Sequence, residues 1–106
     1  MAWQHKASRR QEERAARVYG GTRNAASGAG DWRKNDVRTP TESWEMKTAN
    51  RTYTLKADEL ERAHRNALLD GGRSMRFGIR LGGQDYVLMR EEDYLELKAA
   101  AEEAAG

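Results

Sequence analysis

Glu45 and Lys47 stand two positions apart in SWEMK (43–47), with Met46 between them and Trp44 just ahead. In an extended strand, period two puts Glu45 and Lys47 on one face, about 7 Å apart along the chain, and turns Trp44 and Met46 to the other. Nine residues before Glu45, across the turn-forming RTPTES (38–43), lies Asp36. If that turn lays Asp36 beside the strand, two carboxylates and an ammonium converge. Two carboxylates commonly hold a hard divalent cation such as Mg²⁺, which keeps several of its waters. Such a cation lowers the pKa of a bound water and neutralises phosphate charge, and a neighbouring lysine stabilises charge developing in the transition state. A bare Glu-x-Lys is by itself a salt bridge between strand neighbours, so the weight falls on the elements around it.

Those elements are legible in outline. SRRQEERAARV (8–18) reads as a short helix with Ser8 as N-cap and Ala15, Ala16 and Val18 as its apolar side, stopped by Gly20-Gly21. Residues 22–35 are small and polar, a loop marked by Gly28 and Gly30. Ser43–Thr48 alternates as a strand, and TYTL (52–55) is β-branched and aromatic, a second strand. ADELERAHRNALL (57–69) is the clearest helix, with Leu60, Ala63, Ala67 and Leu68 on one face, acids in the first turn and Gly71-Gly72 beyond its end. Met75, Phe77, Ile79 and Leu81 alternate through a strand, Gly82-Gly83 turns the chain, DYVLM (85–89) returns, and 90–104 closes as a helix. The order predicts a single α/β domain over 1–106, a mixed central sheet flanked by helices, with a flexible basic arm at 1–7 and a flexible Ala/Glu tail at 99–106.

Composition narrows the chemistry. The 106 residues include no cysteine, which excludes disulfides, thiolate metal sites and thiol nucleophiles and fits a reducing cytoplasm, that of a bacterial host if the chain is phage-encoded. No apolar run approaches the ~20 residues of a membrane span, and the basic start MAWQHKASRR lacks the apolar stretch of a signal peptide. Residues 1–56 carry 12 Lys/Arg against 6 Asp/Glu, and residues 57–106 carry 7 against 11, so a +6 front half joins a −4 back half. A basic half suits a polyanion partner such as nucleic acid. A chain of this length builds a thin core and gains from self-association.

The ordered set of motifs resembles the PD-(D/E)XK nuclease superfamily, whose core is that of restriction endonucleases. Within it, the chain looks like the small Holliday junction resolvases of archaea and bacteriophages. EERAAR (12–17) is similar to the family's first helix with its catalytic glutamate, NAASGAG (24–30) to its serine-glycine loop, NDVRT (35–39) to the segment carrying the metal-binding aspartate, and SWEMK to the E-x-K strand. TYTLKADEL, GGRSMRFGIRL and QDYVLMREEDYLEL resemble the passage and the closing elements that follow, so the likeness runs from residue 12 to residue 97. Asn35 stands where the superfamily's name has proline. The resemblance implies that Asp36, Glu45 and the backbone carbonyl of Met46 hold Mg²⁺ or Mn²⁺. It implies that Lys47 positions the attacking water, that Glu13 (with Glu12 the runner-up) assists, and that a homodimer cuts two strands of branched DNA. A related nuclease acting on nicked, flap or linear duplex DNA, or a non-catalytic DNA-binding module, are the rival readings.

Around this site crowd Arg9, Arg10, Arg14, Arg23, Arg33, Lys34 and Arg38, with Lys56 after TYTL. They are expected to contact phosphates, with Ser27 at the loop's serine position. Tyr19 and Trp32 are candidates for stacking on exposed bases or for packing, and Trp44 for the core.

Overall fold

The computed structural model describes residues 2–24 and 35–106. The elements run α1 (Ala2–Tyr19), β1 (Thr22–Arg23), β2 (Val37–Arg38), β3 (Glu42–Ala49), α2 (Ala57–Leu69), β4 (Ser74–Leu81), β5 (Gln84–Met89) and α3 (Glu91–Ala105). The five strands form one sheet in the order β1-β2-β3-β4-β5. β3 and β4 are parallel and every other neighbouring pair is antiparallel. The sheet is therefore the mixed one expected, and α2 is the crossover that a parallel pair requires.

β3 is the centre of the arrangement, and its alternation sorts the two faces. Trp44 and Met46 pack with Val37 of β2 against Ala15 of α1, and Tyr19 stacks on Trp44 with ring centroids 3.9 Å apart and planes 6° apart. The opposite face carries Met75 and Phe77 of β4 against Ala63 and Ala67 of α2, with Tyr53, Leu60, Ile79 and Leu88 at the margin. Ser43, Glu45 and Lys47 pair in register with Met75, Phe77 and Ile79, so they share that second face. β4 and β5 form a hairpin closed by Gly82 and Gly83, both at positive φ (59° and 82°), as a two-residue turn of the primed type requires.

Several expectations change. α1 is helical from Ala2, so residues 2–7 continue the helix rather than form an arm, and α3 carries the Ala/Glu tail in helix to Ala105. TYTL is not a strand: both edges of β3 are already taken by β2 and β4, so residues 52–55 cannot pair with it, and they run as the connection into α2. On α2, Leu68 is exposed and Asn66 is buried in its stead, and on α1 Val18 is exposed. Nothing on α3 is buried, and Tyr94, Leu95 and Leu97 face solvent. No helix among the described residues is long and apolar enough to cross a membrane.

Candidate active site

Asp36 reaches Glu45 through backbone bonding as much as through the turn. Thr39 N–H donates to the Glu42 carbonyl (2.9 Å) and the Thr39 hydroxyl accepts from Glu42 N–H (3.0 Å), which closes RTPTES tightly. β2 then lies against β3 with Val37 opposite Trp44. Asp36 N–H donates to the Trp44 carbonyl and the Asp36 carbonyl accepts from Asn24 N–H, each at 2.8 Å. Just before it, buried Asn35 donates to the Ser43 hydroxyl (2.9 Å) and to the Ala63 carbonyl at 3.0 Å, and accepts from Asn66 (3.4 Å). The asparagine in the proline position thus ties β3 and α2 together and fixes the residue on which Asp36 turns.

With its main chain held from both sides, Asp36 directs its Oδ2 to the Met46 N–H at 2.8 Å. Its carboxyl stands near enough to that of Glu45 for the charge of Asp36 to bear on Glu45. Lys47 Nζ lies 3.3 Å from Glu45 Oε2, so the expected trio is assembled on one face. Strand alternation turns the Met46 main chain to the same edge as the Trp44 carbonyl that Asp36 uses, which places the Met46 carbonyl toward Asp36.

A cleft of about 330 Å³ opens here between β3 and α2, lined by Asn35, Asp36, Glu45, Glu59, Arg62, Ala63 and Asn66. Burial and the neighbouring Asp36 charge push Glu45 up to about 7, and burial raises Asp36 as well, against the Met46 N–H that favours its ionised form. Two neighbouring buried carboxyls resist carrying two charges at once. Burial opposes the charge on Lys47, but the carboxylates of Glu45 and then Glu59 outweigh it and hold the ammonium above its ordinary range. Among the described residues no group of three or more Asp, Glu, His or Cys side chains forms a closed metal cluster. The donor set is two carboxylates and a main-chain carbonyl, which fits a cation that keeps most of its waters, as Mg²⁺ does.

The structure separates the two first-helix acids. Glu13 is exposed, whereas Glu12 is half-buried and bonded to Arg23 (3.0 Å), and burial and the Asp36 charge raise its pKa. The reason is helical phase: Glu12 stands three, four and seven positions before Ala15, Ala16 and Tyr19, the residues that face the sheet. Next to it, Gln11 is buried and clamps β3, donating to the Lys47 carbonyl (2.7 Å) and accepting from the Thr48 hydroxyl (2.7 Å).

The basic residues divide. Arg9 and Arg10 are exposed on α1, and Lys56 is exposed at the N-cap of α2. Arg14 pairs with Asp85 (3.5 Å), Arg23 with Glu12, and Arg38 with Asp70 at 2.9 Å. Those three sit in intramolecular ion pairs, partly exposed and so weak enough for a phosphate to compete. Ser27, Trp32, Arg33 and Lys34 lie outside the described residues. Tyr19 is stacked on Trp44, so it packs rather than offering a free ring.

Sequence reasoning missed Glu59, Tyr53 and Arg62. Glu59 Oε2 is 3.3 Å from Lys47 Nζ, and Glu59 Oε1 accepts from the Tyr53 hydroxyl at 2.7 Å. That hydroxyl bond, with the Lys47 charge, lowers the Glu59 pKa. A glutamate in a helix's first turn has a sufficient local explanation in the helix dipole, and nothing local signals its contact across the crossover.

No family model and no curated protein sequence matches the chain. Among solved structures, that of Archaeoglobus fulgidus Hjc, a Holliday junction resolvase from an archaeal hyperthermophile, aligns over 74% of this chain and 73% of that one. The two are 17% identical, with a TM-score of 0.56. The chain thus has a resolvase-like α/β fold.

Proposed function

We propose that this chain is a metal-dependent endonuclease that resolves branched DNA, four-way junctions above all, by hydrolysing phosphodiesters. One observation carries the reading: Asp36 and Glu45 line one cleft open to solvent, each burdened by burial, with Lys47 Nζ 3.3 Å from Glu45 Oε2. Such a pair is poorly satisfied by protons and well satisfied by a divalent cation. Asp36, Glu45 and the Met46 carbonyl would hold Mg²⁺ or Mn²⁺. When bound, the ion supplies an activated water and neutralises phosphate charge.

The chain's own groups do the rest. Lys47 orients the attacking water and stabilises the charge that grows on the phosphoryl oxygens. Glu12, raised in pKa by burial and the nearby Asp36 charge, accepts a proton relayed through water. Arg9, Arg10 and Lys56 grip phosphates along the strand, as do Arg14, Arg23 and Arg38 once exchanged from their carboxylates. A homodimer supplies the second site that a two-strand cut needs. The unburied α3, with Tyr94, Leu95 and Leu97 exposed, supports self-association.

The test is cleavage of synthetic four-way junctions, flaps, nicked duplex and linear duplex with Mg²⁺ or Mn²⁺. Cutting of junctions in preference to linear duplex is expected, and its loss in Asp36→Asn and Glu45→Gln. Intact junctions, or variants that cut like the parent, would sink the reading.

A further inference from the structure

We infer that Glu59, braced by Tyr53, is the positioning residue for Lys47: it keeps the lysine in place beside the carboxyls when Glu45 is engaged elsewhere. The inference rests on the role proposed above for Lys47, and it concerns a residue pair that the E-x-K motif does not include.

The geometry is a relay from the core outward. Phe77 is fully buried on β4, and the Tyr53 ring leans on it with centroids 6.1 Å apart at 49°. The Tyr53 hydroxyl donates to Glu59 Oε1 at 2.7 Å, and Glu59 Oε2 faces Lys47 Nζ at 3.3 Å. Each carboxylate oxygen of Glu59 therefore has its own donor. That orientation suits an acceptor fixed in place for a lysine.

Lys47 needs such an acceptor. Its flexible stem loses rotamer freedom when held. In the described structure it is held from two sides, by Glu45 and Glu59 at equal distances of 3.3 Å. A cation on Glu45 competes for the same carboxylate and weakens the first of these contacts. Glu59, on α2, keeps its oxygen for Lys47 because the Tyr53 hydroxyl bond fixes the carboxylate's rotation. The segment 52–55, which forms no strand, thereby gains a reason to run close under α2.

The test uses the full chain and the variants Glu59→Gln, Tyr53→Phe and the double variant. Three measurements are made: the order of the Lys47 Cε by NMR relaxation in metal-free protein, Mn²⁺ affinity by calorimetry, and cleavage kinetics on a synthetic four-way junction. Glu59→Gln is expected to lower Lys47 order and to reduce kcat about tenfold or more, with KM and Mn²⁺ affinity each within about twofold of the parent. Tyr53→Phe should move kcat in the same direction by about threefold, and the double variant should be no worse than Glu59→Gln. A tenfold loss of Mn²⁺ affinity in Glu59→Gln would make Glu59 a cation ligand and overturn the inference. Unchanged Lys47 order with unchanged kcat would overturn it too. If the parent cuts no DNA, the nuclease reading fails, and the Lys47 order measurement alone then decides for or against Glu59.

Discussion

The two faces of β3 are built from alternate residues of one strand and obey opposite rules. Toward α1, Trp44 and Met46 meet Tyr19, Ala15 and Gly78, and what matters is shape. Toward α2, Glu45 and Lys47 meet Asp36 and Glu59, and what matters is charge. The shaped face is complete within the chain. The charged face is not, because two of its carboxyls are ionised together only at a cost. The difference teaches that the apolar face is the rigid backing on which an electrostatically unfinished site is displayed.

The sharpest way to break this division is to remove function without removing fold. Asp36→Asn or Glu45→Gln takes a donor from the proposed cation set, and junction cleavage is expected to fall at least ~10³-fold, about 4 kcal/mol of barrier. Both variants leave the α1 face untouched and relieve like-charge repulsion. Thermal melts of metal-free protein above pH 7 should therefore show a midpoint at or above the parent's. A large fall in melting temperature would mean that the charged face also holds the fold.

The converse substitution is Trp44→Ala. Trp44 is 4% exposed, stacked on Tyr19, and its Nε1 donates to Glu42 Oε1 at 3.0 Å. Its loss should cost about 3–5 kcal/mol of stability, a large share of what a domain of this size possesses. Denaturant unfolding measures it. The fraction that remains folded at low temperature should retain Mn²⁺ affinity if Asp36 and Glu45 still meet.

How much of this was legible from the chain follows the same division. The helix over 57–69, the strands around Met75–Leu81 and 85–89, and the Gly82-Gly83 turn are local periodicities. So is the Trp44/Glu45 alternation, which placed the tryptophan in the core and the acid at the site. RTPTES carried enough turn chemistry to bring Asp36 home. What failed depended on neighbours far away in sequence. TYTL has a strand's composition, but β3 had no vacant edge for it. Glu59 looked like a helix-start acid until the crossover laid it on Lys47. Glu12 and Glu13 differ in helical phase, and the phase of Ala15 and Tyr19 turns Glu12, rather than Glu13, toward the sheet.

pH gives a smaller and cleaner contrast. Glu45 rises from an ordinary 4.5 to about 7 in the folded chain, so folding favours its protonated form. That contribution is whole below pH 4.5 and is lost as pH rises through about 7. Metal-free protein should therefore lose about 2–3 kcal/mol of stability across that window, with residual exposure allowed for. Raised Asp36 and Glu12 act in the same sense. Glu45→Gln should flatten most of the slope, and saturating Mg²⁺ should flatten it in the parent. A slope of equal size in Glu45→Gln would show that Glu45 is not its source.

The smallest effect probes the shaped face where it touches the parallel neighbour. Gly78 of β4 lies in register with Met46, and a Cβ there would come 2.7 Å from Met46 Cε and 2.9 Å from its Sδ. The obstruction is the end of a flexible side chain, so Gly78→Ala should cost only about 1 kcal/mol as Met46 swings aside. Met46→Ala alone opens a cavity and should cost about 2 kcal/mol or more. The added methyl partly fills that cavity, so the double variant should lose less than the sum of the two, with a coupling of about 1 kcal/mol in denaturant unfolding. Additive losses would mean that Gly78 and Met46 do not share the same space. Because Met46 also lends its N–H to Asp36 at 2.8 Å, the cycle asks whether the backing can be repacked without moving the site. Mn²⁺ affinity in the double variant should stay within about twofold of the parent if the strand, rather than the methionine side chain, sets where Asp36 and Glu45 stand.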